Sequence, residues 1–175
     1  MGAVVARTPR LVLQRWTDAD VEELADIGTP EVVRYLGGTP WTPAMALASI
    51  ALWRQIDERL GITTWAVRLL ETDELIGTCG FAGTNMPWLR FDFVIEVGWT
   101  LGHRWWGHGL ATEAALAAIR VGVSRYPAER IISKCSIDNT ASERVMRRIG
   151  MIRVGVVQGT FNAPTVVCRL TSEQT

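Results

Sequence analysis

The apolar positions of the first 60 residues predict one short strand followed by two helices. The run Leu11–Leu13 is typical of a strand. Apolar residues at 21, 24, 25 and 27 have helical spacing, and the polar segment Thr17–Asp20 before them supplies capping residues. A second helix is predicted to begin at Pro43, since proline suits the first helical position, and to end near Leu60.

From residue 64 onward the pattern changes to strands and then to alternating strands and helices. β-prone runs over 64–70 and 75–81, separated by a polar turn, predict a hairpin that a strand over 91–101 extends. A helix over 110–124 leads to a strand over 130–136, which a right-handed crossover would place parallel to 91–101. The remaining predicted elements are a helix over 140–149 and a hairpin of 152–158 with 166–170.

These elements predict an α/β fold of the mixed α+β kind. Its sheet is expected to be mostly antiparallel and seven-stranded, with one parallel pair and about four flanking helices. A chain of 175 residues is long enough to bury a core without disulfides, so a single domain over 1–175 is expected.

Charge and composition exclude several classes of partner. Lysine plus arginine and aspartate plus glutamate each total 18, so no polybasic field exists to attract nucleic acid or a membrane. No stretch approaches the ~20 apolar residues of a membrane span, and the apolar run at the N-terminus is too short for a signal peptide. A soluble cytoplasmic enzyme is therefore expected. The cysteines lie in separate apolar runs and only His103 and His108 are present, so no metal site is predicted.

The segment 94–114 joins a strand to a helix through the glycines Gly107 and Gly109, a pattern that suits anion binding. Glycine lets the backbone approach a ligand, and the free N–H groups of the helix's first turn would face that ligand. The turn lies past mid-chain with two glycines, which disfavours a dinucleotide-binding fingerprint, and no Gly-Lys-Ser or Gly-Lys-Thr follows to make a Walker A loop. Small residues at 111, 115, 118 and 122 would let the helix lie close to the sheet.

A second motif follows the next strand, in the segment Asp138–Met146. A capping box of Thr140 and Glu143 explains part of it without any function. It does not require Asn139 or Ser142.

The two motifs together resemble the acyl-CoA signature of GNAT acetyltransferases, and most closely that of the RimJ/RimL branch, which acetylates protein N-termini. The resemblance rests on Arg-x-x-Gly-x-Gly at 104–109 with Leu-Ala-Thr-Glu-Ala after it, and on Asn-x-x-Ser at 139–142 before Ile149-Gly150-Met151. It implies the GNAT fold, in which the parallel strands splay apart in the middle of the sheet, and acetyl-CoA as cosubstrate.

The resemblance also implies roles for individual residues. Backbone N–H groups over 106–110 would hold the pyrophosphate, Arg104 would add charge near the phosphate, and the strand 97–101 would pair with pantetheine. Asn139 would hydrogen-bond pantetheine, with Ser142 nearby. The implied cofactor-binding set is Val97, Gly98, Trp99, Thr100, Leu101, Arg104, Trp105, Trp106, Gly107, His108, Gly109, Leu110, Ala111, Asn139 and Ser142.

Acetyl transfer needs a neutral amine, a stabilised oxyanion, and protonation or release of the departing thiolate. Glu96 is the carboxylate within the apolar part of its strand, so it is a candidate to accept the amine proton; a solvated carboxylate or one paired with an arginine is the alternative. The N–H of Val97 or Gly98 is the candidate oxyanion donor. Many relatives carry a tyrosine where this chain has Met146, so Ser142 is the second candidate catalytic residue, for proton relay or orientation.

The sequence leaves the acceptor open. The branch resembled implies a protein or peptide N-terminus as acceptor. The rival is a small-molecule acceptor, namely an antibiotic, an amino acid or a polyamine. An acyl-CoA sensor without turnover is the alternative outside the enzyme class. Trp41 and Trp88 are predicted to line an acceptor pocket, which Arg34 and Arg90 would make non-acidic. A homodimer formed through strand or helix contacts is a further partner that the sequence allows.

Overall fold

The computed structural model describes residues 2–84, 94–159 and 163–171. Within these ranges the strands are β1 Val4–Arg7, β2 Leu11–Gln14, β3 Thr64–Leu69, β4 Leu75–Thr84, β5 Val94–Leu101, β6 Ile131–Ser136, β7 Met151–Gln158 and β8 Pro164–Leu170. The helices are α1 Val21–Ile27, α2 Pro30–Val33, α3 Pro43–Leu60, α4 Leu110–Val123 and α5 Thr140–Arg148. Short 3-10 turns precede α1, follow β5 and precede β6.

The described strands form one mixed sheet in the order β1-β2-β3-β4-β5-β6-β8-β7. All neighbours are antiparallel except β5 and β6, which are parallel. Their pairing covers Ile95 with Ile131 and Glu96 with Ile132, although both strands continue further. The parallel pair therefore separates beyond Glu96, and a V-shaped opening lies in the middle of the sheet.

The predicted mixed α/β fold with its splayed parallel pair is confirmed, with eight strands where seven were expected. The additional strand, β1, has four residues that are exposed or only half-buried, so it carries no clear apolar signal. The single-turn helix α2 is too short to show helical periodicity. The strand predicted over 91–101 corresponds to β5, and its predicted first residues, 91–93, lie outside the described residues.

Helix α4 lies against the sheet through a face of small residues, as its sequence predicted. Of the four predicted positions, Ala115, Ala118 and Gly122 are buried, and Ala111 is half-buried. A Cβ placed on Gly122 would lie 2.4 Å from the ring of Phe81, so this helix approaches β4 as closely as a glycine permits. Close packing fixes the N-terminus of α4 at the mouth of the V.

Helices α1 and α3 cover the other side of the sheet. Leu24, Ile50 and Ala66 form a second buried cluster there, with Trp41 and Trp53 packed against it. Thr42 caps α3 by accepting the Met45 N–H at 3.2 Å. No helix within the described ranges is both long and apolar enough to cross a membrane.

Candidate active site

Three cavities that share lining residues lie where β5 and β6 separate. The nest cavity lies at the N-terminus of α4 and includes Thr100, Gly107, Gly109 and Arg144. The inner cavity lies between the sheet and α3, and includes Trp41, Trp53, Glu96 and Gly98. The outer groove lies toward the β7–β8 hairpin and includes Gly38, Thr84, Glu96 and Gln158.

Backbone conformation at the turn before α4 requires glycine. Gly107 has φ 82° and Gly109 has φ 77°, both in the left-handed region that side chains disfavour. Gly109 is the N-cap of α4 and supplies no side-chain cap, so the helix's first N–H groups stay available to a ligand. A Cβ on Gly107 would meet nothing within 4 Å, which shows that the turn faces open space. The turn can therefore hold an anion by its backbone.

Neighbouring contacts hold this turn in place. The indole N–H of Trp106 donates to the Leu101 carbonyl oxygen at 2.7 Å. Arg10 donates through Nη1 to the carbonyl oxygen of His108 at 3.0 Å and pairs with Glu113 at 2.6 Å. The turn is thus tied to the end of β5, to the first turn of α4 and to the loop before β2.

The sequence-predicted cofactor residues divide into two groups. Eleven of the 15 line the nest cavity: Trp99, Thr100, Leu101, Trp105, Trp106, Gly107, Gly109, Leu110, Ala111, Asn139 and Ser142. The others do not. Val97 is completely buried, Gly98 lines the inner cavity instead, and His108 contributes its carbonyl oxygen to Arg10.

Arg104 is directed away from the nest cavity. Its guanidinium forms an ion pair with Glu74 and lies 5.1 Å from the ring centroid of Trp105. The positive side chains that line the nest cavity from α5 are Arg144 and Arg148, one helical turn apart. Sequence reasoning missed both, although their spacing after Asn139 places them on one helix face.

Asn139 has a structural role at the N-terminus of α5. Its Oδ1 accepts the backbone N–H of Ser142 at 3.1 Å and so caps the helix. The residue also lines both the nest cavity and the inner cavity, which leaves its amide N–H₂ as the group for a ligand. Met146, at the position of the relatives' tyrosine, is fully buried in the core.

Glu96 is paired with a lysine rather than an arginine, and it is only partly exposed to solvent. Its Oε2 lies 2.8 Å from Nζ of Lys134, and both side chains are about one-quarter exposed, 23% and 24% respectively. Burial raises the pKa of the Glu96 carboxyl, and the hydrogen bond and charge of Lys134 partly oppose that rise. The carboxylate thus combines a raised pKa with a position in the inner cavity, as a general base requires.

Tyr35 is a second residue that sequence reasoning did not assign to the site. It lines all three cavities, and its hydroxyl donates to the carbonyl oxygen of Asp138 at 3.2 Å. The segment after α2 therefore lies across the mouth of the V.

Trp41, which the sequence predicted for an acceptor pocket, forms an aromatic wall with Trp53 in the inner cavity. Trp41 lines the inner cavity, and Trp53, which stacks on Trp16 with ring centroids 5.2 Å apart, lines it too. Trp88 and Arg90 lie outside the described residues. Among the described residues that line the inner cavity, Glu96 alone is acidic.

Comparison with known proteins identifies the family. Residues 10–152 match the model of the acetyltransferase (GNAT) domain. The chain is 30% identical over 157 residues to the uncharacterized N-acetyltransferase YoaA of Bacillus subtilis, covering 88% of this chain and 86% of that protein.

Solved structures share the fold. An acetyltransferase from Agrobacterium tumefaciens str. C58 has a TM-score of 0.76 at 24% identity, covering 98% of this chain and 97% of that one. A RimL ribosomal L7/L12 α-N-protein acetyltransferase in complex with coenzyme A has a TM-score of 0.77 at 15% identity, covering 95% and 96%. The chain belongs to the GNAT acetyltransferase family and is an acyl-CoA-dependent N-acetyltransferase.

Proposed function

We propose that the protein transfers an acetyl group from acetyl-CoA to the α-amine of a protein or peptide N-terminus, by direct attack in a ternary complex. The observation that carries the proposal is the position of Glu96. It stands where the parallel strands separate, and it lines both the inner cavity and the outer groove. A carboxylate is thus available to an amine that enters from either space.

The nest cavity is the proposed site of acetyl-CoA. The turn at Gly107 and Gly109 would hold the pyrophosphate by backbone N–H groups, and Arg144 with Arg148 would supply charge for the phosphates. Pantetheine would follow Thr100 and Trp99 toward the inner cavity, past the amide of Asn139. The two cavities share these residues, so a thioester at their junction would meet an amine from the inner cavity.

Glu96 is the proposed general base. An α-amine has a pKa of about 8, so a carboxylate whose pKa lies above its ordinary value can accept the proton as the nitrogen attacks. The N–C bond forms, and the C–S bond breaks as the tetrahedral intermediate collapses. The departing thiolate then takes up a proton, for which the Ser142 hydroxyl at the junction of the cavities is the candidate relay.

The backbone of β5 is the proposed oxyanion donor. Successive N–H groups of a strand point to opposite edges, so one of Val97 and Gly98 directs its N–H into the V rather than toward β4. A Cβ on Gly98 would meet nothing within 4 Å, so the strand leaves room for an acetyl group at that point.

The outer groove supports a peptide acceptor. It extends from Glu96 past Gly38 to Thr165 on the β7–β8 hairpin, which gives an extended chain a path to the base. The RimL protein with the same fold is named as an α-N-protein acetyltransferase. The aromatic wall of Trp41 and Trp53 favours a second candidate, a small apolar amine held wholly in the inner cavity.

Thiol release from acetyl-CoA distinguishes these candidates. The purified protein is titrated with acetyl-CoA by calorimetry and then assayed with N-terminal peptides, with the same peptides blocked at the α-amine, and with small apolar amines. Release with free peptides alone supports the proposal, and release with small amines alone supports the second candidate. Binding without release in any arm contradicts catalysis by this site.

A further inference from the structure

Lys134 is the only lysine in a chain that has 17 arginines. It lies on β6, two residues after Ile132, the register partner of Glu96. Lys134 and Glu96 form an ion pair, and both residues line the inner cavity and the outer groove. A second hydrogen bond joins Nζ to Oγ1 of Thr84 at 3.4 Å. Since an ammonium group carries three donors, these two contacts, both with described residues, leave a third N–H for a ligand in either cavity.

The charges around this pair disfavour an acceptor with several cationic groups. In the described part of the chain, the inner cavity is lined by one acid, Glu96, and one base, Lys134. Arg34 also lines the outer groove, and Arg144 and Arg148 line the nest cavity. Among the described residues, neither of these two cavities has an acidic side chain other than Glu96. A polyamine would find one carboxylate, already paired, for all of its ammonium groups.

We infer that the acceptor carries an anionic group beside its amine, and that Lys134 binds this anion while Glu96 receives the amine. The inference rests on the proposed acetyl transfer at Glu96 and names the class of acceptor. An ammonium at Glu96 and a carboxylate at Lys134 would place four charges of alternating sign together, so each charge would be next to two opposite ones.

The distances suit such a pairing. Glu96 Oε2 and Lys134 Nζ are 2.8 Å apart. Standard bond lengths put the nitrogen and a carboxylate oxygen of an α-amino acid roughly 3 Å apart. An anionic group beside an amine can come from two kinds of acceptor. One is a free amino acid, whose α-carboxylate is the anion and whose apolar side chain would pack on the aromatic wall. The other is a peptide with an acidic side chain next to its α-amine.

Matched pairs of acceptors test the inference. One arm compares leucine with leucinamide, and the other compares two N-terminal peptides that differ only in Asp or Asn at the second position. The ratio of kcat/KM, anionic over neutral member, is measured for the wild type, for Lys134→Met and for Arg54→Gln. Arg54 pairs with Asp18 on the surface, so its substitution removes one positive charge outside the three cavities.

The wild type and Arg54→Gln are expected to prefer the anionic member in one arm, and Lys134→Met is expected to lower that ratio about tenfold. Comparing the ratio between enzymes cancels the different amine pKa values within a pair and any general loss of rate. The responding arm identifies the source of the anion.

Two outcomes overturn the inference. Equal ratios in wild type and Lys134→Met, with acetyl transfer intact, contradict the role of Lys134 and leave the proposed function standing. Absence of transfer to any member of either arm, with acetyl-CoA binding intact, contradicts the proposed function and the inference with it.

Discussion

The hydroxyl of Tyr35 donates a hydrogen bond across the mouth of the V to the carbonyl oxygen of Asp138, 3.2 Å away. Arg34 supports this contact, because its Nη2 donates to the same hydroxyl at 2.9 Å and its guanidinium lies 4.5 Å from the centroid of the ring. The contact joins the segment after α2 to the residue before Asn139. It therefore links the wall of the inner cavity to the helix that lines the nest cavity.

Tyr35→Phe should raise KM for both acetyl-CoA and the acceptor, each by a few fold, with kcat little changed. The ring still fills its place, but the hydrogen bond that holds the segment after α2 against Asp138 is lost, and a neutral hydrogen bond contributes only about 1 kcal/mol. Steady-state kinetics with each substrate varied in turn measures the effect. Tyr126→Phe, at the chain's only other tyrosine, is the control. A collapse of kcat at unchanged KM would instead place the Tyr35 hydroxyl in the chemistry.

The raised pKa of the Glu96 carboxyl predicts how the pH profile of the wild type differs from that of Glu96→Gln. In the wild type, kcat/KM should fall as pH drops through this pKa, which lies above the ordinary 4.5, because a protonated carboxyl cannot accept a proton. Glu96→Gln should lose this acidic limb and lower kcat by about tenfold or more at pH 7. The deficit should shrink above pH ~8, where an α-amine deprotonates unaided.

The same carboxyl also links pH to folding. Folding raises the pKa of Glu96, so this residue stabilises the folded state fully at pH values below its pKa in the unfolded state. That contribution is lost as the pH rises through its pKa in the folded state. Urea titrations at several pH values measure this trend, and Glu96→Gln should flatten it. An acidic limb of the rate profile that persists in Glu96→Gln would belong to another group.

Sequence patterns predicted the fold well because its elements are long enough to show periodicity. Helix α3 begins at Pro43 and ends at Leu60, as proline at the first helical position and the apolar spacing after it predicted. Strand β1 was missed because its four residues are exposed or only half-buried, and helix α2 was missed because four residues are too few to show helical periodicity. The turn before α4 was found because glycine at positive φ is a local requirement, visible without any tertiary contact.

Side-chain direction was the part that sequence could not give. The motif placed Arg104 next to the phosphate-binding turn, but its partner Glu74 lies on the neighbouring hairpin, far along the chain. The pairing of Lys134 with Glu96 depends equally on the register of two strands that are separated by a helix. Tyr35 reaches Asp138 across 103 positions. Such contacts are set by tertiary packing rather than by local spacing.

Arg144→Gln and Arg104→Gln form a matched pair that tests which arginine serves the phosphates. Arg144 lines the nest cavity, so Arg144→Gln should weaken the protein's affinity for CoA about five- to tenfold. The loss should be largest at low salt, because ions screen a charge-assisted contact. Arg104 is already paired with Glu74, so its replacement should change the Kd less. Calorimetric titration at two ionic strengths measures both. The reverse order of effects would support the role that the sequence motif implied for Arg104.

Asn139 combines a helix cap with a proposed ligand contact, and two substitutions separate them. Asn139→Asp keeps the side-chain oxygen that accepts the Ser142 N–H at 3.1 Å but removes the amide donors, so Tm should stay near the wild-type value while the Kd for CoA rises several fold. Asn139→Ala removes both functions. It should also cost about 1 kcal/mol of stability, which lowers Tm by roughly 2–4 °C for a chain of this size. Thermal unfolding and calorimetry on the same samples measure the two effects. If Asn139→Asp bound CoA as tightly as the wild type, the amide would have no part in holding pantetheine, and Asn139 would serve the helix alone.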